Sequence, residues 1–337
     1  MGTVAVFGAG GFVGRATVEA LGRDGQAAVA LPTPRLGSER ADLEATRTFD
    51  DAEDLPDVWR VRAGGRATAN DAVAVVAEVT ERLRSAGCDS AVNAAGIADA
   101  RTRSTPELYG ANAAWPLLLA YACREAGVRR LVHVSTAAVQ GRVRVLDASE
   151  TFSPVSPYGD AKALGEGLLR GFAAAGDKIE IVRYRPPSVH GPDRELTRSF
   201  AAFTRRLPLV VCNHGDAPVP VALVDNVGAI LAALVTAAAP AQVVTHPSEG
   251  YTVRSLYEMF APGRRIRSVP GRPVRAGLRL LEPVGRAVPL VAALARRAEL
   301  LLIGQGQAPG WLEDQGFVLP FGRVSWESVA RAAGRPR

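Results

Sequence analysis

A tyrosine and a lysine stand four residues apart in Pro157-Tyr158-Gly159-Asp160-Ala161-Lys162. On a helix this spacing places both side chains on one face. A free phenol titrates at about 10, and an ammonium beside it stabilises the phenolate. The pair can therefore give and take a proton in the working pH range. Tyr/Lys pairs at this spacing also occur on solvated surfaces, so spacing alone decides nothing. Composition argues for the chemical reading: the chain is rich in arginine and holds only two lysines, Lys162 and Lys178. A compact ammonium has been kept where a guanidinium fork would not substitute.

The elements before this pair predict where such chemistry would sit. Thr3 to Phe7 is a short β-rich run, followed by Gly8-Ala9-Gly10-Gly11-Phe12-Val13-Gly14 and a helical pattern over 15–21. Strand, glycine turn and helix are the context of a dinucleotide site. Gly8 permits the tight turn, Gly11 admits the pyrophosphate to the backbone, and Gly14 lets helix and strand pack closely; the helix N-terminus then holds the phosphates. The strand at 27–31 runs into Pro32-Thr33-Pro34-Arg35 with no carboxylate before Glu39. An acidic residue there grips a ribose 2′-hydroxyl, whereas an arginine accommodates a 2′-phosphate. Arg35, with Arg15 beside the loop, thus favours NADP over NAD.

Residues 36–70 show no clear period beyond a strand-like piece at 58–62, and the acidic cluster at 50–54 reads as a solvated turn rather than a metal site. A helical pattern covers 72–83, and a buried strand at 89–93 ends in Asn93-Ala94-Ala95-Gly96, whose small residues let a cofactor lie against the backbone. A helix over 106–125 carries Asn112 in an apolar face, either as a core amide or as part of the site. The strand at 130–134 ends in Ser135-Thr136. Ligands of open parallel sheets bind at that end, on the side of the glycine loop. Ser156 and Pro157 read as N-cap and first residue of the helix bearing Tyr158 and Lys162. Another strand, 179–184, leads to Arg185-Pro186-Pro187-Ser188-Val189-His190-Gly191-Pro192.

At 337 residues, 47% hydrophobic and 22% charged, the chain reads as a globular α/β protein. The expected domains are a Rossmann-type doubly wound sheet over 1–185 and a smaller substrate lobe over 186–337, with segments around 215–240 returning to the first. The net charge of +6 comes from scattered arginines, and few aromatics accompany them, which argues against nucleic acid. Cys88, Cys123 and Cys212 are far apart and predict buried thiols without a metal. The first residues run straight into strand and loop, so a cytoplasmic location is expected. The arginine-rich stretch 274–302 is amphipathic, but Pro283 and Pro289 break any long helix, which favours a pair of lobe helices over a membrane anchor.

In order, these pieces resemble the extended short-chain dehydrogenase/reductase family, which includes nucleotide-sugar epimerases, dehydratases and reductases. The resemblance rests on Gly8-x-x-Gly11-x-x-Gly14, Asn93-Ala94-Ala95-Gly96, Ser135-Thr136, Tyr158-x-x-x-Lys162, the Arg185 to Pro192 run and Val224-Asp225-Asn226-Val227, over about residues 1 to 240. It implies that Tyr158 is the acid/base and that Lys162 holds the ribose hydroxyls. Thr136, five residues before Gly141, would bond the reacting oxygen with Ala137 beside it. The resemblance also implies that Phe12, Val13, Ala94, Ala95, Gly96, Asn112, Pro186 and Val189 meet the cofactor and that His190 lines the nicotinamide and substrate pocket. A homodimer packed through two long helices is implied as well. Gln140 and His190 stand where the family has aromatic residues. The activity implied is NAD(P)-dependent hydride transfer to a keto group of a nucleotide-sugar or related metabolite. The alternatives are an epimerase that keeps its NAD and a non-catalytic dinucleotide-binding protein. Dehydratases carry an acidic pair after the Ser/Thr, and here Ala137-Ala138 follow.

Overall fold

The computed structural model describes residues 2–45, 61–63, 66–68, 70–98, 103–176, 179–280 and 289–334. The acidic cluster at 50–54, Lys178 and Pro283 lie outside the described residues.

Six strands form the central sheet: β1 (Thr3–Phe7), β2 (Ala27–Leu31), β3 (Cys88–Asn93), β4 (Arg130–Val134), β5 (Glu180–Arg185) and β6 (Val243–Thr245). Their spatial order is β6-β5-β4-β3-β1-β2, and the pairings from β2 through β5 are parallel. β1 is a near-continuous apolar run and β4 is buried along its whole length, because helices cover both faces of a parallel sheet. β2 alternates exposed and half-buried residues, as befits the outermost strand among the described residues.

The helices that position the site are α1 (Phe12–Arg23), α2 (Asn70–Ser85), α3 (Trp115–Ala126), α4 (Pro157–Ala174) and α5 (Val224–Thr236). Ser156 caps α4 by accepting from the Gly159 amide at 3.1 Å, with Pro157 in the first turn. The helical pattern expected over 106–125 is present but interrupted: a short helix Pro106–Tyr109 passes through a π turn, Gly110–Ala114, before α3 begins. α5 packs on α1 through Gly228, where a Cβ would fall on the Ala16 carbonyl. Strand order changes direction between β1 and β3, so the carboxyl ends of these two strands flank the switch point where an open sheet binds its ligand.

Between β2 and α2 the chain departs from strand-helix alternation. Leu36–Gly37, Val61–Ala63 and Arg66–Thr68 make a small antiparallel sheet, and the helix Arg40–Ala45 follows its first strand. From that helix Arg40 reaches Asp160 of α4 at 2.8 Å, and Tyr109 donates to the same carboxylate at 2.7 Å.

By its internal contacts the chain divides into two compact units. The first holds Met1–Gly141, Glu150–Arg185 and Gly228–Val244; the second holds Arg142–Ser149, Pro186–Val227 and Thr245–Arg337. The second unit is built on Phe200, Leu209, Val211, Leu223, Tyr257, Phe260 and Trp326, with short parallel pairs such as Ser188–His190 on Val221–Leu223. Buried Glu249 organises it, accepting from the Leu223 amide, Asn226, His246 and Trp326 at 2.5 to 2.9 Å. The 274–302 stretch contributes helices Gly271–Leu280 and Pro289–Ile303. No helix among the described residues is long and apolar enough to cross a membrane.

Candidate active site

Gly8 closes β1 with φ +78°, and a Cβ there would lie 2.7 Å from the Ala95 amide nitrogen. Only glycine accepts that backbone conformation while letting the ends of β1 and β3 meet. The Ala94 amide donates to the Phe7 carbonyl at 3.0 Å, and the Gly11 amide to the Gly8 carbonyl at 2.9 Å. Gly11 then stands as N-cap of α1 without a side-chain cap, the kind of helix start at which backbone N–H groups can hold an anion. At Gly14 a Cβ would overlap the Gly8 carbonyl. Phe12 and Val13 are half-buried in the first turn.

At the end of β3, Gly96 is the meeting point of two polar side chains. A Cβ on it would lie 2.6 Å from Asn112 Oδ1 and 3.3 Å from Lys162 Nζ. Asn112 sits inside the π turn, donates through Nδ2 to the Ile97 carbonyl at 3.0 Å, and leaves Oδ1 buried without a partner. A π turn commonly marks a functional position, and an orphaned buried acceptor is uncommon. α4 approaches this turn at Gly165, where a Cβ would fall on the Asn112 carbonyl.

Lys162 is buried and donates to the Val134 carbonyl at 2.8 Å. Burial pushes its ammonium down from 10.5 to about 8, opposed by the negative charge of Glu166. Tyr158, one turn earlier, is half-buried. The first turn of α4 rests on the 3₁₀ turn Ala137–Gln140, since a Cβ on Gly159 would lie 3.0 Å from the Ala138 carbonyl. Thr136 caps that turn, accepting from the Ala138 amide at 3.2 Å. Ser135 is occupied differently, donating to the Glu166 carboxylate. Gln140 is buried.

Sequence reasoning missed the polar row beneath these groups. Asn93 accepts from the Ala95 amide and the Trp115 indole at 3.2 and 3.1 Å, which orients its Nδ2 to donate to His133 Nδ1 at 3.1 Å. Burial, then Lys162 and Arg183, hold His133 well below its ordinary titration range. Glu166 was also missed, although it lies four residues past Lys162 on the same helical face and the same spacing would have found it.

Arg35 is exposed after β2, and Arg15 donates to the Gly10 carbonyl at 3.2 Å. Pro186, Val189 and His190 belong to the second unit. His190 turns into that unit's core, 5.5 Å from the Trp326 ring, with Nε2 3.2 Å from Ser188 Oγ and Nδ1 3.3 Å from Thr197 Oγ1. Burial lowers it from 6.5 to about 3, so the ring is neutral.

A sequence model described as the NAD dependent epimerase/dehydratase family matches residues 4–244. No curated protein matches the chain by sequence. Among solved structures, the UDP-glucose 4-epimerase of Thermus thermophilus in complex with NAD is 19% identical, with 98% of this chain and 97% of that one covered at a TM-score of 0.59. The UDP-N-acetylglucosamine 4-epimerase of Bacillus cereus is 12% identical, with 99% of each chain covered at 0.60. The terminal R domain of the myxalamid PKS-NRPS biosynthetic pathway is 17% identical, with 99% and 90% covered at 0.64. At these identities the likeness is one of fold.

Proposed function

Because the chain belongs to the NAD-dependent epimerase/dehydratase family, we propose that it is a nicotinamide-dependent oxidoreductase that reduces a keto group of a nucleotide-sugar or related metabolite. The observation that carries this reading is the buried Lys162 ammonium, converging with Asn112 on Gly96 one helical turn from Tyr158. The residues fit a dinucleotide. Gly8, Gly11 and Gly14 let the turn close on itself and on the end of β3 where a Cβ would meet backbone, α1 opens without a side-chain cap, and Asn112 Oδ1 is an unused buried acceptor. When bound, the nicotinamide supplies the hydride.

The chain's own residues do the rest. The α1 amides hold the pyrophosphate, while Ala94, Ala95 and Gly96 let the cofactor lie on the backbone. Lys162 bonds the ribose hydroxyls. Thr136 holds the substrate oxygen and Tyr158 delivers its proton. Arg35, exposed where β2 ends without a carboxylate, is placed for a 2′-phosphate and favours NADP. For Pro186 and Val189 the family resemblance implies contact with the cofactor, whereas the neutral His190 ring is committed to the core of its own unit.

A second reading is an epimerase, favoured by the NAD bound in the Thermus enzyme and by the UDP-sugars named for the neighbouring epimerases. The two are separated by offering NADPH with a panel of 4-keto-6-deoxy sugar nucleotides. Oxidation of NADPH above a Tyr158→Phe control supports the reductase. NAD retained through purification, with sugar inversion and no net consumption of reduced cofactor, supports the epimerase. Neither outcome with any nucleotide-sugar removes both.

A further inference from the structure

Tyr158, Lys162 and Glu166 follow one another at four-residue intervals, so a single face of α4 carries a phenol, an ammonium and a carboxylate. Glu166 has no exposed side-chain surface, and its partner Arg185 is 1% exposed. Arg185 donates through Nε at 2.9 Å to Oε1 and through Nη2 at 2.7 Å to Oε2, while Ser135 donates to Oε1. Taking two charges out of water is costly, and such pairs seldom add net stability over apolar packing. Their placement gives a different reason for keeping one here. Ser135 directly precedes Thr136 at the end of β4, and Arg185 is the last residue of β5. One carboxylate thus pins the helix that carries Tyr158 and Lys162 to the carboxyl ends of two adjacent strands.

We propose that Glu166 is a positioning residue of the reacting pair: it fixes the depth of α4 against the ends of β4 and β5, and its charge keeps Lys162 an ammonium. The second half follows from what surrounds the lysine. On its own helix the titratable groups facing it are Tyr158 and Glu166. From β4 comes His133, held neutral by burial. The π turn presents the uncharged Asn112. Arg183 and Arg185 of β5 are each engaged by a carboxylate of their own, Glu150 and Glu166. Glu166 is therefore the negative charge that opposes desolvation of Lys162.

Only the kinetic arm of the test rests on the oxidoreductase reading. With two lysines in the chain, protein grown on [ε-¹³C]lysine gives two signals, and Lys162→Met assigns the one that titrates near 8. In Glu166→Gln that midpoint is expected to fall by about one pH unit. If this variant, with Arg185 left unpaired, does not fold, Glu166→Gln with Arg185→Met removes both charges and is expected to show a smaller fall in the same direction, since the repulsion from Arg185 goes with it. Ser135→Ala keeps both charges and is expected to leave the midpoint in place. An unchanged or raised midpoint in the Glu166 variants would overturn the proposal, since a merely structural carboxylate would cost stability without moving the lysine. In turnover assays the alkaline limb of the pH–rate profile is expected to move down by the same amount. The lysine titration reads out whether or not any substrate is reduced, so failure of the functional reading and failure of this proposal are seen separately.

Discussion

The ammonium of Lys162 donates to the Val134 carbonyl at 2.8 Å, fixing α4 on β4 two residues before Thr136. This bond gives a buried cation one firm acceptor, but burial still depresses its titration to about 8. The unfolded chain therefore binds more protons than the folded one between about 8 and 10.5. Stability contributed by this group rises with pH across that window and is lowest below it. Lys162→Met is expected to gain about 2 kcal/mol at pH 7, the desolvation relieved less the hydrogen bond lost. That gain should shrink as pH rises towards 10.5, while turnover is lost. Denaturant unfolding of both proteins at pH 7 and at about pH 9.5, inside the titration window, measures the difference; equal differences at the two values would contradict the assignment.

Gly96→Ala tests the convergence of Asn112 and Lys162 directly. The new methyl would stand 2.6 Å from Asn112 Oδ1 and 3.3 Å from Lys162 Nζ, so one side chain must move. The backbone there has φ +157°, which adds strain of its own for a residue with a Cβ, but the position lies beyond the last residue of β3 and the variant is expected to fold. It should bind reduced cofactor at least about tenfold more weakly, equivalent to roughly 1.4 kcal/mol. Fluorescence titration with NADPH and NADH checks this, and native affinity for both would show that the cofactor does not use this corner.

Much of the sheet and the glycine cradle is legible in the sequence because parallel strands are short apolar runs, and because glycines set between a strand and a helix serve few ends besides close backbone approach. β1, β2 and β4 begin and end as the pattern predicts. The stretch from 36 to 70 is not legible. Its small antiparallel sheet is made of strands two or three residues long, too short for any period, and its hold on α4 comes from Arg40 and Asp160, 120 positions apart. The π turn is hidden for another reason: it adds one residue to a helical turn without changing residue types. Buried polar contacts such as Glu166 with Arg185 depend on which strand ends lie side by side, and spacing along the chain does not reveal that.

Ser135 and Thr136 are adjacent hydroxyls with different duties. Thr136 accepts from the Ala138 amide, whereas the Ser135 proton goes to Glu166. Thr136→Val is expected to lower kcat by about 10²-fold, in the range of a lost transition-state hydrogen bond. It should also lower stability by about 1 kcal/mol through the lost cap. Thr136→Ser restores both functions if the hydroxyl is what matters. Parallel kinetics and thermal unfolding of the two variants check it, and retention of full kcat in Thr136→Val would remove Thr136 from the reacting group.

His190 gives a pH signature without any ligand. Its ring, enclosed by Trp326 and Phe200, titrates at about 3 in the folded chain against 6.5 when free. Between those values the unfolded state takes up the proton first, so stability is present above 6.5 and is lost as pH falls through the window. The loss from this residue is expected to reach about 2 kcal/mol by pH 5. His133, lowered in the same direction, adds a slope of its own. His190→Phe keeps an aromatic ring in the cluster and removes one titration. The variant is expected to be less stable than the parent at pH 7, where it lacks the Ser188 and Thr197 bonds, and to lose less on going to pH 5. Urea unfolding at the two pH values checks this. Parallel acid losses in both proteins would mean that the His190 ring is already protonated, or solvated, in the native state.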